Sequence, residues 1–204
     1  MKSTGERHVK AASTKQAIRE AATTLFAQKG FAATSTREIC QRAGITKPAL
    51  YYHFGNKEQL YVELVLDCMN EYRKEMLRAS HRGQNTREKL TEVVAAIFAL
   101  NRRDPLISRL FFRMVFAPEK ESPAINYIEA GETEAHILEG IVREGLARGE
   151  LKGRPAEIAE ALMGIHTLYT MSFLLTGKPD LGRPLARRAV DLLVEGCLPN
   201  STHR

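Results

Sequence analysis

Residues 34–57, TSTREICQRAGITKPALYYHFGNK, hold two helix starts separated by a single glycine, and this punctuation limits the possible folds more than any other feature. Ser35 stands where a helix N-cap belongs, with Glu38 three residues on at the spacing of a capping box. Ile39, Cys40 and Ala43 give the first short helix one apolar face, and Gly44 supplies a left-handed turn to end it. Ile45 precedes Thr46, a candidate cap for a second helix whose first turn holds Lys47 and Pro48, where proline costs no helical hydrogen bond. Leu50 and Phe54, four apart, form its inner face, which leaves Lys47, Ala49, Tyr51 and His53 to point elsewhere. Two short helices joined in this way can place the second in a DNA major groove.

The charge agrees with that reading. Residues 1–60 carry ten Lys/Arg and four acids, so the whole formal excess of +6 lies there, while the remaining 144 residues are balanced. A phosphate-binding module joined to a neutral one has this asymmetry; an ordinary solubilising basic N-terminus is the plainer alternative. A chain of 204 residues can bury a real core, in one domain or two small ones. Cys40, Cys68 and Cys197 are odd in number, far apart and without a C-x-x-C pair, and read as buried thiols in a reducing compartment. The polar N-terminus lacks the apolar core of a signal peptide. No apolar run reads as long enough to span a bilayer. A soluble, cytoplasmic protein with no membrane partner is expected.

The remaining pattern is helical, without convincing period-two alternation. It predicts a first helix over Thr14–Lys29, with Ala17, Ile18, Ala21, Ala22, Leu25 and Phe26 as its stripe, closed by Gly30. After the two short helices, Asn56 with Gln59 starts a long fourth helix to about Ala79. A fifth covers Thr86–Asn101 and, apolar nearly all round at VVAAIFAL, is expected to be central. A sixth ends near Phe116, and a seventh runs from Pro123 to Arg148. An eighth spans Pro155–Thr176, and a ninth Pro184–Gly196 has Leu185, Ala189, Leu192 and Leu193 on one face. The predicted fold is all-α with nine helices: a three-helix head at 1–57 and a helical body at 58–204, linked by the fourth helix.

The run GFAATSTREICQRAGITKPALYYHFGNKEQLY resembles the N-terminal signature of the tetracycline-repressor (TetR/AcrR) family of transcriptional regulators. The matching positions are Gly30-Phe31, Thr34, Arg37-Glu38-Ile39, Ala43-Gly44-Ile45, Leu50-Tyr51-Tyr52-His53-Phe54 and Asn56-Lys57-Glu58. Cys40 replaces a usual alanine and Thr36 a small aliphatic residue, and both fit sterically. Beyond this stretch only the helical layout is similar. The resemblance implies a homodimer through helices 8 and 9, a small-molecule pocket in the body, and ligand binding that alters the spacing of the two heads. Two recognition helices must enter successive major grooves about 34–36 Å apart. A ligand favouring another separation weakens DNA binding by its differential affinity for the two states.

By the same resemblance the DNA face comprises Thr36, Arg37, Thr46, Lys47, Pro48, Ala49, Tyr51, His53 and Lys57. Physically, Lys57 at the start of the fourth helix can meet a phosphate beside free backbone N–H groups. Tyr51 and His53 can donate to phosphate oxygens and set register. Lys47 suits guanine acceptors, Ala49 a thymine methyl, and Arg37 either a phosphate or a guanine. Tyr52 reads as helix packing rather than contact, His53 has a plain surface alternative, and Leu50 and Phe54 read as core.

Body helices carry Phe98, Phe111, Phe112, His136, His166, Tyr169 and Phe173 as candidate ligand contacts, each with a core alternative. His166 lies in so apolar a helix that it needs a partner: a ligand, a buried side chain or a dimer mate. A satisfied interface histidine is the favoured reading. Glu132 and His136 share a helix face at i, i+4 but lack a third ligand, so no metal is expected, and no cofactor. No Gly-rich phosphate loop, G-x-S-x-G or H-E-x-x-H occurs, which argues against an enzyme. The expected function is a homodimeric, sequence-specific regulator of transcription, a repressor of a palindromic double-stranded operator released by a small, hydrophobic effector. Two alternatives stand beside it. An effector-independent architectural DNA binder would show little sequence preference. A helical enzyme or carrier retaining a DNA-binding head would turn over or sequester a small molecule while binding DNA poorly.

Overall fold

The structure, a computed structural model, describes residues 4–116, 123 and 127–196. Among the described residues there are nine α-helices and no strand. They are α1 (Thr4–Lys29), α2 (Thr36–Ala43), α3 (Lys47–Phe54), α4 (Lys57–Ser80), α5 (Thr86–Arg103), α6 (Pro105–Phe116), α7 (Tyr127–Ala147), α8 (Pro155–Thr176) and α9 (Arg183–Gly196). The helix α1 begins at Thr4 rather than Thr14. No proline or glycine interrupts residues 6–29, so nothing local stops the helix from extending backwards. The start of the seventh helix, predicted near Pro123, falls where residues 124–126 lie outside the described set: Pro123 is non-helical, and the helix is described from Tyr127. Cys197 and the C-terminal tail also lie outside it.

Packing divides the described residues into two compact units, 4–68 with 106–116 and 123, and 69–105 with 127–196. The division therefore falls inside α4, and nearly all of α6 groups with the first unit, whereas the sequence suggested a break at 57/58. One contact that places α6 there is long in sequence: the Arg113 guanidinium donates to the Gln28 carbonyl at 2.8 Å, near the end of α1.

The first unit is built around Ile18, Ala22 and Phe26 of α1, Ile39 of α2, Leu50 and Phe54 of α3, and Leu60, Leu64 and Val65 of α4. Tyr61 is buried with them, edge-on to Phe26 at 5.0 Å, and loss of water pushes its phenol up to about 12. Arg19 bridges Glu63 and Asp67, and Lys15 pairs with Glu63, so α1 and α4 are also joined by charge.

The second unit has its core where α5, α7, α8 and α9 meet. Leu90, Val93, Val94, Ile97 and Phe98 of α5 pack with Leu138 and Val142 of α7, Ile158 and Leu162 of α8, and Leu185, Ala186, Val190 and Val194 of α9. The central place expected for the fifth helix is thus realised. The inward face of α9 differs from expectation: Ala186 and Val190 are in it, and Leu192 is 69% exposed. Gly145 lets α7 approach α5 closely, because a Cβ there would lie 2.2 Å from Thr86 Oγ1.

One expectation is corrected. By length and composition α8, 22 residues with a mean hydropathy of 1.3 over its most apolar window, is long and apolar enough to cross a bilayer. Ile158, Ala159, Leu162, Thr170 and Leu174 are buried within the chain, while Leu168 and Leu175 of the same helix are exposed.

Candidate nucleic-acid interface

The recognition geometry is assembled by local rules, beginning at α2. Ser35 is extended (φ −99, ψ 150), and its hydroxyl accepts from the Glu38 N–H at 3.3 Å. Glu38 Oε2 accepts in return from the Ser35 N–H and hydroxyl, each at 2.9 Å, which completes the predicted capping box. The other carboxylate oxygen pairs with the Lys29 ammonium. Lys29 and the Ser35 donors together hold the Glu38 carboxyl down at about 2. The last turn of α1 is thereby tied to the first turn of α2.

Gly44 closes α2 in the left-handed region (φ 65, ψ 34), its N–H donating toward Cys40 and Gln41 carbonyls, and the Ile45 N–H reaches the Cys40 carbonyl at 3.0 Å. Thr46 then stands at the N-cap of α3 with extended backbone. Its carbonyl accepts from the Ala49 and Leu50 N–H groups, but its hydroxyl makes no capping bond. The cap function expected of its side chain is absent, and the residue is exposed.

Leu50 and Phe54 are buried and fix the roll of α3. Lys47 and Pro48 are exposed, Ala49 and His53 half-buried, and Tyr51 45% exposed. Tyr52 is 83% exposed, which overturns its reading as helix packing. With both Leu50 and Phe54 inward, position 52 falls on the far side of a helix that turns 100° per residue. Spacing from those two residues was the signal that could have found it. Tyr52 stands edge-on to His53, with ring centroids 5.2 Å apart. Arg37 on α2 is exposed, and Thr36 half-buried.

Asn56 caps α4 by accepting from the Gln59 N–H at 2.7 Å. Lys57 is engaged inside the protein. Its ammonium donates to the Phe31 carbonyl at 3.1 Å and the Thr34 carbonyl at 3.0 Å, and lies 3.9 Å from the Phe31 ring centroid. It staples the turn between α1 and α2. Thr36, Tyr51, Asn56 and Lys57 meet at one open groove of about 450 Å³. The α2 cap, the exposed side of α3 and the start of α4 thus come together within a single unit.

The seven candidate ligand contacts are not gathered in the same way. Phe98 is wholly buried in the core of the second unit, edge-on to a half-buried Tyr169 at 6.4 Å. Phe173 lies at the margin of that core, and His136 is exposed. Phe111 and Phe112 of α6 form an edge-on pair at 6.0 Å in the first unit. His166 is buried and faces Glu134 of α7, a residue not singled out from the sequence. Among the described residues no group of three or more His, Cys, Asp or Glu could hold a metal ion.

Residues 18–64 match the family model described as bacterial regulatory proteins, tetR family. Over 196 residues the chain is 30% identical to the uncharacterised HTH-type transcriptional regulator YdgC of Bacillus subtilis (strain 168), covering 93% of this chain and 95% of that one. It is 27% identical to the fatty acid metabolism regulator protein of the same organism, covering 88% and 93% of the two. The transcriptional regulator FadR from Bacillus subtilis, solved in complex with stearoyl-CoA, shares the fold with a TM-score of 0.71 at 23% identity, covering 89% of this chain and 98% of that one.

Proposed function

This chain belongs to the tetR family of bacterial regulatory proteins, whose members are DNA-binding transcriptional regulators and not enzymes, and from that premise we propose that it is a cytoplasmic repressor. It binds a palindromic double-stranded operator as a homodimer and is released by a small hydrophobic molecule. The observation that carries this reading is α3. Two buried anchors, Leu50 and Phe54, hold it so that Lys47, Pro48, Tyr51 and Tyr52 stay exposed in a segment carrying all of the chain's excess positive charge. Lys47 in the first turn suits base edges, while the two tyrosine hydroxyls and Arg37 suit phosphates. Lys57 acts behind them, holding the α1–α2 turn against which α2 is capped.

Dimerisation is supported by three large apolar side chains that the monomer leaves in water. Leu168 and Leu175 of α8, seven residues apart on one face, are 67% and 78% exposed, and Leu192 of α9 is 69% exposed. Apolar exposure of this kind marks association surfaces. A relative solved with stearoyl-CoA supports a hydrophobic effector.

The test is enrichment of random duplex DNA by the purified protein, with sequencing of what is retained. A palindrome with half-sites about one helical turn apart is expected. Binding without an enriched sequence, lost simply as salt rises, would replace this reading with a non-specific architectural binder.

A further inference from the structure

One group of polar atoms in the second unit is not used by the DNA-binding machinery. His166 and Thr170 of α8 are 4% and 3% exposed and lie one turn apart on the same helix face. Glu134 of α7 faces them, its Oε1 2.5 Å from His166 Nε2. The two atoms stand at ion-pair distance, yet neither Glu134 Oε1 nor His166 Nε2 makes a hydrogen bond of acceptable geometry, and Thr170 Oγ1 is likewise buried without one. Three such atoms together are costly, and native interiors keep them for a reason. The dimer mate expected for His166 is not a suitable partner, because the imidazole is buried against its own chain.

The surroundings are apolar. Met163, Tyr169 and Phe173 of α8 and Ile137 of α7 are only partly buried at the edge of the same core, and Tyr169 and Phe173 continue the helix side that holds His166 and Thr170. A polar cluster beside incompletely covered apolar side chains is the composition of a small-molecule site.

We propose that Glu134, His166 and Thr170 are the polar anchor of a site for an alkyl-bodied molecule with a neutral hydroxyl or amide group. Glu134 offers acceptor lone pairs, the Thr170 hydroxyl both donates and accepts, and the imidazole donates at one nitrogen and accepts at the other. A group that is itself both donor and acceptor satisfies all three. A carboxylate would set negative charge against Glu134 in a poorly solvated place. This inference rests on reading the second unit as the effector-binding body.

The test uses the full chain with 1-decanol, decanamide and decanoate as probes, followed by calorimetric titration and thermal melting. Wild type is expected to bind the alcohol and the amide, and decanoate more weakly. Thr170→Val, which keeps the side chain's shape, should bind the first two about tenfold less tightly, the worth of one hydrogen bond. Without probe it should melt no lower than wild type, since valine leaves no orphaned hydroxyl. His166→Leu should weaken alcohol and amide binding in the same way. Binding that ignores the head group, or that both variants retain, would overturn the anchor and leave the effector-binding body standing. A lower melting temperature of unliganded Thr170→Val would show a structural bond and likewise overturn it. Failure of every probe to bind would overturn the anchor and the hydrophobic-effector reading together.

Discussion

Replacing Lys57 by methionine separates two physical roles for one ammonium. From its position at the start of α4, Lys57 reads as a phosphate contact, and its loss would then weaken DNA binding and leave the fold intact. In the folded chain the same ammonium donates to the Phe31 and Thr34 carbonyls at 3.1 and 3.0 Å and covers the Phe31 ring at 3.9 Å. A hydrogen bond to a charged group contributes about 1.5–3 kcal/mol net, and a cation over an aromatic face about 0.5–1 kcal/mol at an exposed site. These terms share one ammonium and do not add. Lys57 is also half-buried, so water can reach the abandoned carbonyls. The expected cost of Lys57→Met is therefore about 1–2 kcal/mol, or a melting temperature lower by about 3–6 °C for a chain of this size. Urea denaturation gives the stability, and DNA affinity measured across a salt series gives the number of phosphates neutralised. The salt slope should stay unchanged when the variant is measured well below its melting point. A slope shallower by about 1.8, one phosphate for each protomer of the proposed dimer at about 0.9 apiece, with stability within about 0.5 kcal/mol of wild type would refute the staple and restore the phosphate role.

Four further outcomes are expected. Tyr52→Ala should leave the melting temperature unchanged and weaken binding to all DNA sequences alike, as read by fluorescence anisotropy on operator and random duplexes. Glu38, held down at about 2 in the folded chain against 4.5 ordinarily, contributes stability that is present above about pH 4.5 and is lost as pH falls toward 2. The melting-temperature difference between wild type and Glu38→Gln should accordingly shrink over that window, and a constant difference would remove the carboxylate from the α2 cap. Gly145→Ala drives a methyl into Thr86, which is buried, and should cost about 1–3 kcal/mol in urea unfolding. Leu168→Asp should turn the dimer into a folded monomer by sedimentation, and an unaltered mass would place the interface elsewhere.

Legibility followed the range of the interactions. The capping box at Ser35 and Glu38, the left-handed Gly44, the Asn56 cap and the burial of Leu50 and Phe54 all depend on residues within a few positions of one another. Each was readable from spacing. Thr46 shows the limit even there, since it takes the N-cap backbone geometry while its hydroxyl makes no bond. Residue type allowed the cap and did not require it.

The remaining differences share another cause. Which side of α9 is buried, and hence that Leu192 is exposed, depends on the shape of α5 against it. The grouping of α6 with the first unit involves Arg113 meeting a carbonyl 85 residues away. Glu134 and His166 are 32 positions apart in the chain and meet only because α7 and α8 pack side by side. The helices, their caps and the paired short helices of the head could be read along the chain, because propensity, glycine torsion and i, i+3 or i, i+4 contacts are local. Tertiary structure alone decided whether a polar head such as that of Lys57 or His166 meets a carbonyl, a carboxylate or nothing. Which group stands near a polar head is set by packing between distant segments, and only distance and direction together make it a hydrogen bond.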